Sequence, residues 1–164
     1  MVCPQIMKLV YLSLGSNLGD REAMLQSAVR ALESPGLHIL RVSPVYETEP
    51  MDVPGQQWFL NQVAEAETGL FPLQLLQRTT RIEAQLGRRR LTPKGPRTID
   101  IDILLYGNAV VTTATLEIPH PRFRVRRFVL APLADLAPDL RDPVTRKSVR
   151  ELLGELRGQA VRRT

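Results

Sequence analysis

Hydrophobic and polar residues repeat with two different periods along this chain, and the changes of period predict its elements. Residues 8–14 and 58–68 alternate with the two-residue period of a strand. Residues 21–33 and 71–86 instead carry apolar side chains at the spacing of one helix face. Asp20, directly before the first helical stretch, is a predicted N-cap. The first half of the chain therefore alternates between strands and helices.

The remaining segments complete a βαββαβ order. A turn at Gly107-Asn108 predicts a hairpin that returns through residues 109–113. Four other elements are expected: strands at 37–47 and within 95–107, and helices at about 127–137 and 147–157. This order predicts an α+β sandwich of the ferredoxin-like kind, with helices on one face of a mostly antiparallel sheet.

Residues 95–107, GPRTIDIDILLYG, place two aspartates inside an otherwise apolar strand. Because side chains alternate along a strand, Asp100 and Asp102 share one face, roughly 6.6 Å apart along the backbone. Two carboxylates this close repel each other unless a cation lies between them. Such hard oxygen ligands suit Mg²⁺, and a pair can hold two ions roughly 3.5 to 4 Å apart. The opposite face carries the core residues Ile99, Ile101 and Ile103.

An exposed polar face would also explain two alternating aspartates, but Arg97 favours a site. It lies three residues before Asp100 and supplies a permanent positive charge that can bind phosphate oxygens in pairs. The chain has 22 Lys and Arg against 17 Asp and Glu, a formal charge of +5, which favours an anionic partner. The sequence has no P-loop motif and no protein-kinase catalytic loop. Carboxylates for Mg²⁺ beside arginines for phosphate predict a metal-nucleotide site.

The composition predicts one globular domain over residues 1–164, with 1–6 and 158–164 frayed. Hydrophobic residues make up 43% and charged residues 24%, and no apolar stretch reaches the length of a membrane span. No signal peptide is recognised, so a cytoplasmic location is expected. The single cysteine, Cys3, excludes an internal disulfide and lies near a terminus where Met7 is an alternative start.

Four separated motifs resemble one enzyme family. They are YLSLGSNLGDR at 11–21, FLNQV at 59–63, GPRTIDIDILLYG at 95–107 and IPHPR at 118–122. In this order they resemble the 6-hydroxymethyl-7,8-dihydropterin pyrophosphokinases of folate biosynthesis, over about residues 8–153. The resemblance implies transfer of the β,γ-diphosphate of ATP to the pterin hydroxymethyl group, with release of AMP.

The resemblance also implies a role for each matching residue. Asp100 and Asp102 would bind two Mg²⁺ ions that bridge the ATP phosphates, and they form the catalytic set together with Arg88 and Arg97. The nucleotide would be contacted by a larger group: Glu83, Arg88, Arg97, Ile103, His120 and Arg126. The pterin would contact Asn61, backbone groups near Thr48 and Met51, and the rings of Phe59 and Phe128. One departure is Lys94, which stands where the family has an aromatic residue before Gly-Pro-Arg.

Expected partners are ATP and the pterin, without nucleic acid or membrane, and the expected state is a monomer. Two rival functions stay open from the residues. A basic ferredoxin-like module that binds RNA would use the same arginines, but it needs exposed aromatic residues for stacking, and aromatics are only 5% here. It also leaves the two aspartates unexplained. A Mg²⁺-dependent nucleotidyl transferase would keep the metal pair and release pyrophosphate instead of AMP.

Overall fold

A computed structural model of the protein describes residues 6–49, 55, 57–87 and 98–164. Its strands are β1 Lys8–Ser16, β2 Leu37–Val42, β3 Tyr46–Thr48, β4 Phe59–Thr68, β5 Asp100–Tyr106, β6 Val111–Thr112, β7 Glu117–Ile118 and β8 Val161–Arg163. Its helices are α1 Arg21–Leu32, α2 Pro72–Gln85, α3 Arg127–Leu136 and α4 Val149–Glu155, with a 3₁₀ turn at Phe123–Val125. The α+β class predicted from the sequence is confirmed.

Local signals fix several element boundaries. The Asp20 carboxylate accepts a hydrogen bond from the Ala23 N–H at 3.1 Å, which confirms the predicted N-cap of α1. α2 begins at Pro72, where a missing N–H costs nothing. The strand region expected at 37–47 forms two strands, β2 and β3, which both pair with β4. Between them the Ser43 hydroxyl accepts from the Val63 N–H at 2.9 Å, in place of a backbone carbonyl. There the backbone N–H of Ser43 donates to the Val63 carbonyl at 2.8 Å.

The main sheet is antiparallel at every pairing among the described residues. Its strand order is β5-β1-β4-β3-β8, and β2 also pairs with β4. The longest ladders join β1 to β4 and to β5, so β1 lies between the two strands that carry most of the predicted site. Residues 10–15 of β1 therefore each have one neighbour on β4 and another on β5.

Helices cover both faces of the sheet, so the prediction of helices on one face is wrong. Val10, Leu12 and Leu14 of β1 pack with α1 and α2 in one buried cluster. Tyr11, which points to the opposite face, packs with α3 and α4 in a second cluster. The second helical layer could not be anticipated from element order alone, because α3 and α4 follow the last long strand and are free to pack on either face.

β5 follows the predicted alternation in its first half only. Ile99, Ile101 and Ile103 are buried in the first cluster, as expected from their spacing. Between Ile103 and Leu105 the register with β1 shifts, so Leu104 is an extra residue in the ladder. This bulge lets Leu104 and Leu105 both enter the second cluster. The first half of β5 therefore has one polar face, whereas residues 103–106 are all buried.

The predicted hairpin after β5 is wrong. The turn at Gly107 does form, but β6 pairs with β7 rather than returning along β5. A local turn explains the choice, because the Thr113 N–H donates to the Leu116 carbonyl at 2.9 Å and the Thr113 hydroxyl accepts from the Leu116 N–H at 3.0 Å. After this small hairpin the chain returns to β5, where the His120 N–H donates to the carbonyl of Leu104, two residues after Asp102.

The end expected to fray at 158–164 instead contains β8. Residues 161–163 pair with 46–48 of β3 and lie at the edge of the sheet. Arg162 packs over the Trp58 ring at 4.7 Å and donates to the Glu47 carboxylate at 3.0 Å. These contacts attach the C-terminal segment to the sheet, and the composition of that segment does not predict them. Within the described residues, no helix is both long enough and apolar enough to cross a bilayer.

Candidate active site

One row of paired residues crosses the sheet beneath the predicted site. Asp100 on β5 is paired with Gly15 on β1, and Gly15 is paired with Asn61 on β4. Asn61 is in turn paired with Tyr46 on β3. Since neighbouring strands are about 4.8 Å apart, the predicted metal pair and the predicted pterin amide are about 10 Å apart, on the face that also carries α3. The fold thus brings the two parts of the predicted site together.

Asp100 and Asp102 project from the first half of β5 and are both partly exposed. The Asp102 side chain is 47% exposed, whereas its two chain neighbours, Ile101 and Ile103, are buried on the opposite face. Among the described residues, no group of three His, Cys, Asp or Glu side chains is arranged to hold a metal ion. A pair of carboxylates fits Mg²⁺ nonetheless, because this ion usually takes one or two protein carboxylates and completes its shell with water and substrate phosphates.

His120 faces the aspartate pair from the turn after β7. Its backbone N–H donates to the Leu104 carbonyl at 2.9 Å, which ties the turn to β5. Its ring Nδ1 accepts from the Arg122 N–H at 3.1 Å, so the neutral ring carries its proton on Nε2. Nε2 lies 4.0 Å from the Asp102 carboxylate. Burial lowers the pKa of His120, while the charge of Asp102 acts in the opposite direction.

Glu83 lies beneath the same strand, on the last turns of α2. Its carboxylate is buried and accepts a hydrogen bond from the Ile101 N–H at 2.8 Å. Ile101 is the residue between the two aspartates. Glu83 thus contacts the backbone of the predicted metal strand.

Asn61 and Thr48 form the opposite end of the row. Both are buried, and the Asn61 amide donates to the Thr48 hydroxyl at 2.8 Å. This bond fixes the amide plane, so that its carbonyl oxygen points toward Gly15. Phe59 lies next to Asn61 on the same face of β4 and is half-buried. Asn61, Thr48 and Phe59, expected from the sequence at the pterin site, therefore lie close together.

Arg126 and Phe128 flank the start of α3. The Arg126 guanidinium lies 5.5 Å from the centre of the Phe128 ring, within the range of a cation–π contact. Phe128 is partly buried against the second apolar cluster. The pair is thus joined to the helix that covers the site face of the sheet.

The structure places Ile103 away from any ligand-facing surface. Its side chain is buried in the first apolar cluster, on the face opposite Asp102, so only its backbone is available to a nucleotide. The predicted roles of Arg88, Arg97 and Met51 fall outside the described residues, and so does the departure at Lys94.

Gly15 is a further candidate site residue, which was not predicted from the sequence. It lies in the row between Asp100 and Asn61, and a Cβ placed there would stand 3.1 Å from the Asn61 Oδ1 and 3.8 Å from the Phe59 ring. A glycine inside a strand pattern is itself a signal of close approach, which could have identified the position. The absence of a side chain lets Asn61 and Phe59 lie close to the backbone of Gly15, which forms the floor between the two halves of the site.

A second group of contacts that was not predicted from the sequence surrounds Glu47 of β3. Arg21 donates to the Trp58 carbonyl at 2.7 Å and to the Glu47 carboxylate at 3.3 Å. Glu47 also binds Arg162 of β8, and the two guanidinium groups lower its pKa although burial acts to raise it. These contacts join α1, β3, β4 and β8 beside Thr48. No spacing in the sequence relates residues so far apart.

Comparisons with known proteins agree with this arrangement. A family model described as 7,8-dihydro-6-hydroxymethylpterin-pyrophosphokinase matches residues 11–138. The 2-amino-4-hydroxy-6-hydroxymethyldihydropteridine pyrophosphokinase of Bacillus subtilis is 44% identical over 138 residues, which cover 84% of this chain and 83% of the relative. The corresponding protein of Aquifex aeolicus is 41% identical over 91% of this chain and 92% of its own length.

Two longer proteins also match. The folic acid synthesis protein fol1 of Schizosaccharomyces pombe is 44% identical over 94% of this chain, which spans only 21% of that relative. A crystal structure of Plasmodium falciparum HPPK-DHPS, wild type with pteroate, superimposes with a TM-score of 0.72 at 16% identity. That superposition covers 94% of this chain and 43% of the other, and it shows the shared fold. From the family match and the bacterial relatives together, this chain belongs to the 7,8-dihydro-6-hydroxymethylpterin-pyrophosphokinase family.

Proposed function

We propose that this chain transfers the β,γ-diphosphate of ATP to the hydroxymethyl oxygen of 6-hydroxymethyl-7,8-dihydropterin, in folate biosynthesis. The observation that carries the proposal is the row Asp100–Gly15–Asn61, which places a carboxylate pair and a buried amide on one face of the sheet, with only the backbone of Gly15 as the floor between them. In the reaction a bond forms between the hydroxymethyl oxygen and the β-phosphorus, and the bond to the α,β-bridging oxygen breaks. AMP leaves, and the hydroxyl proton passes to solvent.

This reaction needs positioning and charge neutralisation more than covalent chemistry. No nucleophilic side chain is required, because the pterin supplies the attacking oxygen and ATP supplies the leaving group. Asp100 and Asp102 would hold two Mg²⁺ ions, which would neutralise the charge of the phosphates. The site residues of the protein then have separate tasks: to hold the metal, to bind the flat pterin edge, and to exclude water from the reacting centre.

Asn61 and Thr48 suit the recognition of the pterin. An amide offers both a donor and an acceptor, and the Thr48 hydroxyl fixes which end of the Asn61 amide faces the floor. A ligand that matches this pattern is bound selectively, because an analogue that lacks a partner group leaves a buried amide unsatisfied. Phe59 and Phe128 supply apolar surface for the ring.

His120 and Arg126 suit the phosphate chain. The Nε2–H of His120 is directed to the side of Asp102, where the metal-bound phosphates would lie. Arg126, beside Phe128, adds a positive charge at the start of α3. We include Arg88 and Arg97 in the catalytic set because the resemblance to the family implies this role for both.

Several finer features belong to the same proposal. The order β5-β1-β4-β2 supports a ferredoxin-like core, to which β3, β8 and the second helical layer are additions. We further propose that the chain is one domain, works as a monomer in the cytoplasm, binds two Mg²⁺ ions, and binds neither nucleic acid nor membrane.

The direct test is to mix the protein with ATP, Mg²⁺ and 6-hydroxymethyl-7,8-dihydropterin and to separate the nucleotide products. AMP should accumulate in equal amount with the pterin diphosphate, and its formation should require both Mg²⁺ and the pterin. Release of pyrophosphate with a nucleotidylated pterin would instead indicate nucleotidyl transfer. Binding to RNA without metal, with no AMP formed, would favour an RNA-binding module.

A further inference from the structure

Glu83 is a buried carboxylate whose hydrogen bond reaches the strand of the aspartate pair. Its side chain extends from α2, the residue is 6% exposed, and Oε2 accepts from the Ile101 N–H at 2.8 Å. Burial of a carboxylate is costly unless hydrogen bonds compensate it. The amide chosen here belongs to the one residue that separates Asp100 from Asp102. The contact therefore acts on the backbone that directs both of them.

β5 lies at the edge of the main sheet, with β1 as its sheet neighbour among the described residues. On an edge strand every second amide faces away from the sheet and lacks a ladder partner. Ile101 has such an amide, and the Glu83 carboxylate accepts the hydrogen bond that a neighbouring strand would otherwise accept. The bond therefore holds the backbone between the aspartates from the outer side, while β1 holds it from the inner side.

We propose that Glu83 is a positioning residue that sets the direction of the Asp100 and Asp102 carboxylates toward Mg²⁺. The proposal rests on the proposed function, since it concerns the same metal pair, and it differs from the sequence-based expectation that Glu83 contacts ATP. Rotation of the Ile101 peptide would turn the Cα–Cβ directions of both neighbours. Loss of such an outer hydrogen bond commonly lowers metal affinity by about 10- to 100-fold.

Two variants separate the hydrogen bond from the charge. Glu83→Gln keeps the length of the side chain and a carbonyl oxygen that can accept from the Ile101 N–H, but it loses the charge. Glu83→Asp keeps the charge but is one methylene too short to reach that N–H. If Glu83 positions the strand, Glu83→Asp should be the impaired variant and Glu83→Gln should resemble the wild type.

The primary readout is Mn²⁺ binding in the presence of a non-hydrolysable ATP analogue, measured by electron paramagnetic resonance. We expect Glu83→Asp to weaken Mn²⁺ binding about tenfold and Glu83→Gln by less than threefold. The Mg²⁺ concentration for half-maximal AMP formation should shift in the same way. The binding assay needs no turnover, so it tests Glu83 even if wild-type protein forms no AMP and the proposed reaction is wrong.

Glu65→Gln is the matched control. Glu65 is 8% exposed and accepts hydrogen bonds from Tyr11 and Arg41, but it lies on β4 away from the aspartate pair. Its variant should unfold at a lower temperature and bind Mn²⁺ as the wild type does. Several results would overturn the proposal: equal Mn²⁺ binding by Glu83→Asp and wild type, a larger loss in Glu83→Gln than in Glu83→Asp, a raised KM for ATP at saturating Mg²⁺ as the main effect, or no nucleotide-dependent Mn²⁺ binding by the wild type.

Discussion

The side chains of Asp102 and Asp142 differ in their exposure to solvent and in the groups that surround them. The Asp142 side chain has no exposed surface and accepts from Arg124 at 2.9 Å, from the Val144 N–H at 3.0 Å and from the Thr145 hydroxyl at 2.7 Å. The Asp102 side chain is 47% exposed, and the His120 ring lies 4.0 Å from it. One carboxylate is enclosed by donors of the chain itself, while the other presents a large part of its surface to solvent.

This difference agrees with the proposal that Asp102 binds a metal ion whereas Asp142 has a structural role. Hydrogen bonds and Arg124 lower the pKa of Asp142 to about 2, although its burial acts to raise it. Its charge is therefore satisfied within the fold, and it closes the turn before α4. Asp100 and Asp102 lie close together on an exposed face, an arrangement whose repulsion a bound cation relieves. The proposed metal site therefore lies at the partly exposed pair rather than at the enclosed Asp142.

The largest expected effect concerns the exposed pair. Asp100→Asn and Asp102→Asn should each lower kcat/KM for AMP formation by about 1,000-fold or more, equivalent to about 4 kcal/mol of transition-state stabilisation. Their free energies of unfolding should stay within about 1 kcal/mol of the wild type, because each substitution also removes repulsion between neighbouring carboxylates. Steady-state kinetics and urea unfolding measure the two quantities. Near-normal turnover in both variants would exclude the pair from the catalytic site.

The enclosed carboxylate should behave in the opposite way. Arg124→Met leaves Asp142 buried without its cation, which typically costs about 3 to 5 kcal/mol of folding free energy. AMP formation at a temperature where the variant is folded should change by less than about threefold. Thermal unfolding and the same kinetic assay check both statements. A loss of turnover as large as that of the Asp102 variant would show that the turn before α4 belongs to the site.

The pH dependence of unfolding sharpens this contrast. The pKa of Asp142 is about 2 in the folded protein and near 3.9 when unfolded, so its contribution is fully present above about pH 4. It is lost as the pH falls from about 4 toward 2, because the unfolded state then binds the proton first. The loss should approach about 2 kcal/mol in urea unfolding of the wild type. In Arg124→Met this pKa is no longer depressed, so the stability difference from wild type should shrink over the same interval.

Much of this arrangement follows from local signals, and the rest depends on contacts between distant segments. Alternation predicts which face of β5 carries Asp100, and Asp20 predicts where α1 begins. The bulge at Leu104 depends on its packing with residues of α3 and α4. The alternation of residues in the sequence does not reveal it, so the predicted faces are wrong after Ile103. β8 depends on Glu47 and Trp58, more than 100 residues earlier. Asp100, Asp102 and Arg97 were predicted from their own spacing and chemistry, and the other candidate site residues through the family resemblance. Gly15 became a candidate only once the row across the sheet was known.

A substitution at Gly15 tests whether the candidate site depends on its shape as well as on its charge. Gly15→Ala places a Cβ 3.1 Å from the Asn61 oxygen, so the amide must shift by a few tenths of an ångström. Gly15 is not among the glycines with positive φ, so steric pressure on the floor is the main consequence. The KM for the pterin should rise about fivefold to tenfold, which corresponds to about 1 kcal/mol, while the KM for ATP stays unchanged.

Gly154→Ala is the matched control for this substitution. Gly154 lies inside α4 with open space around its Cβ position, so alanine should stabilise the helix by about 0.5 to 1 kcal/mol and leave both KM values unchanged. Steady-state kinetics with each substrate varied in turn distinguishes the two variants. An equal rise of both KM values in Gly15→Ala would mean that the floor supports the whole site. An unchanged KM for the pterin would mean that Asn61 shifts without loss of pterin binding. The candidate site would then differ from the turn of Asp142 in its exposed charge and not in a closely fitted shape.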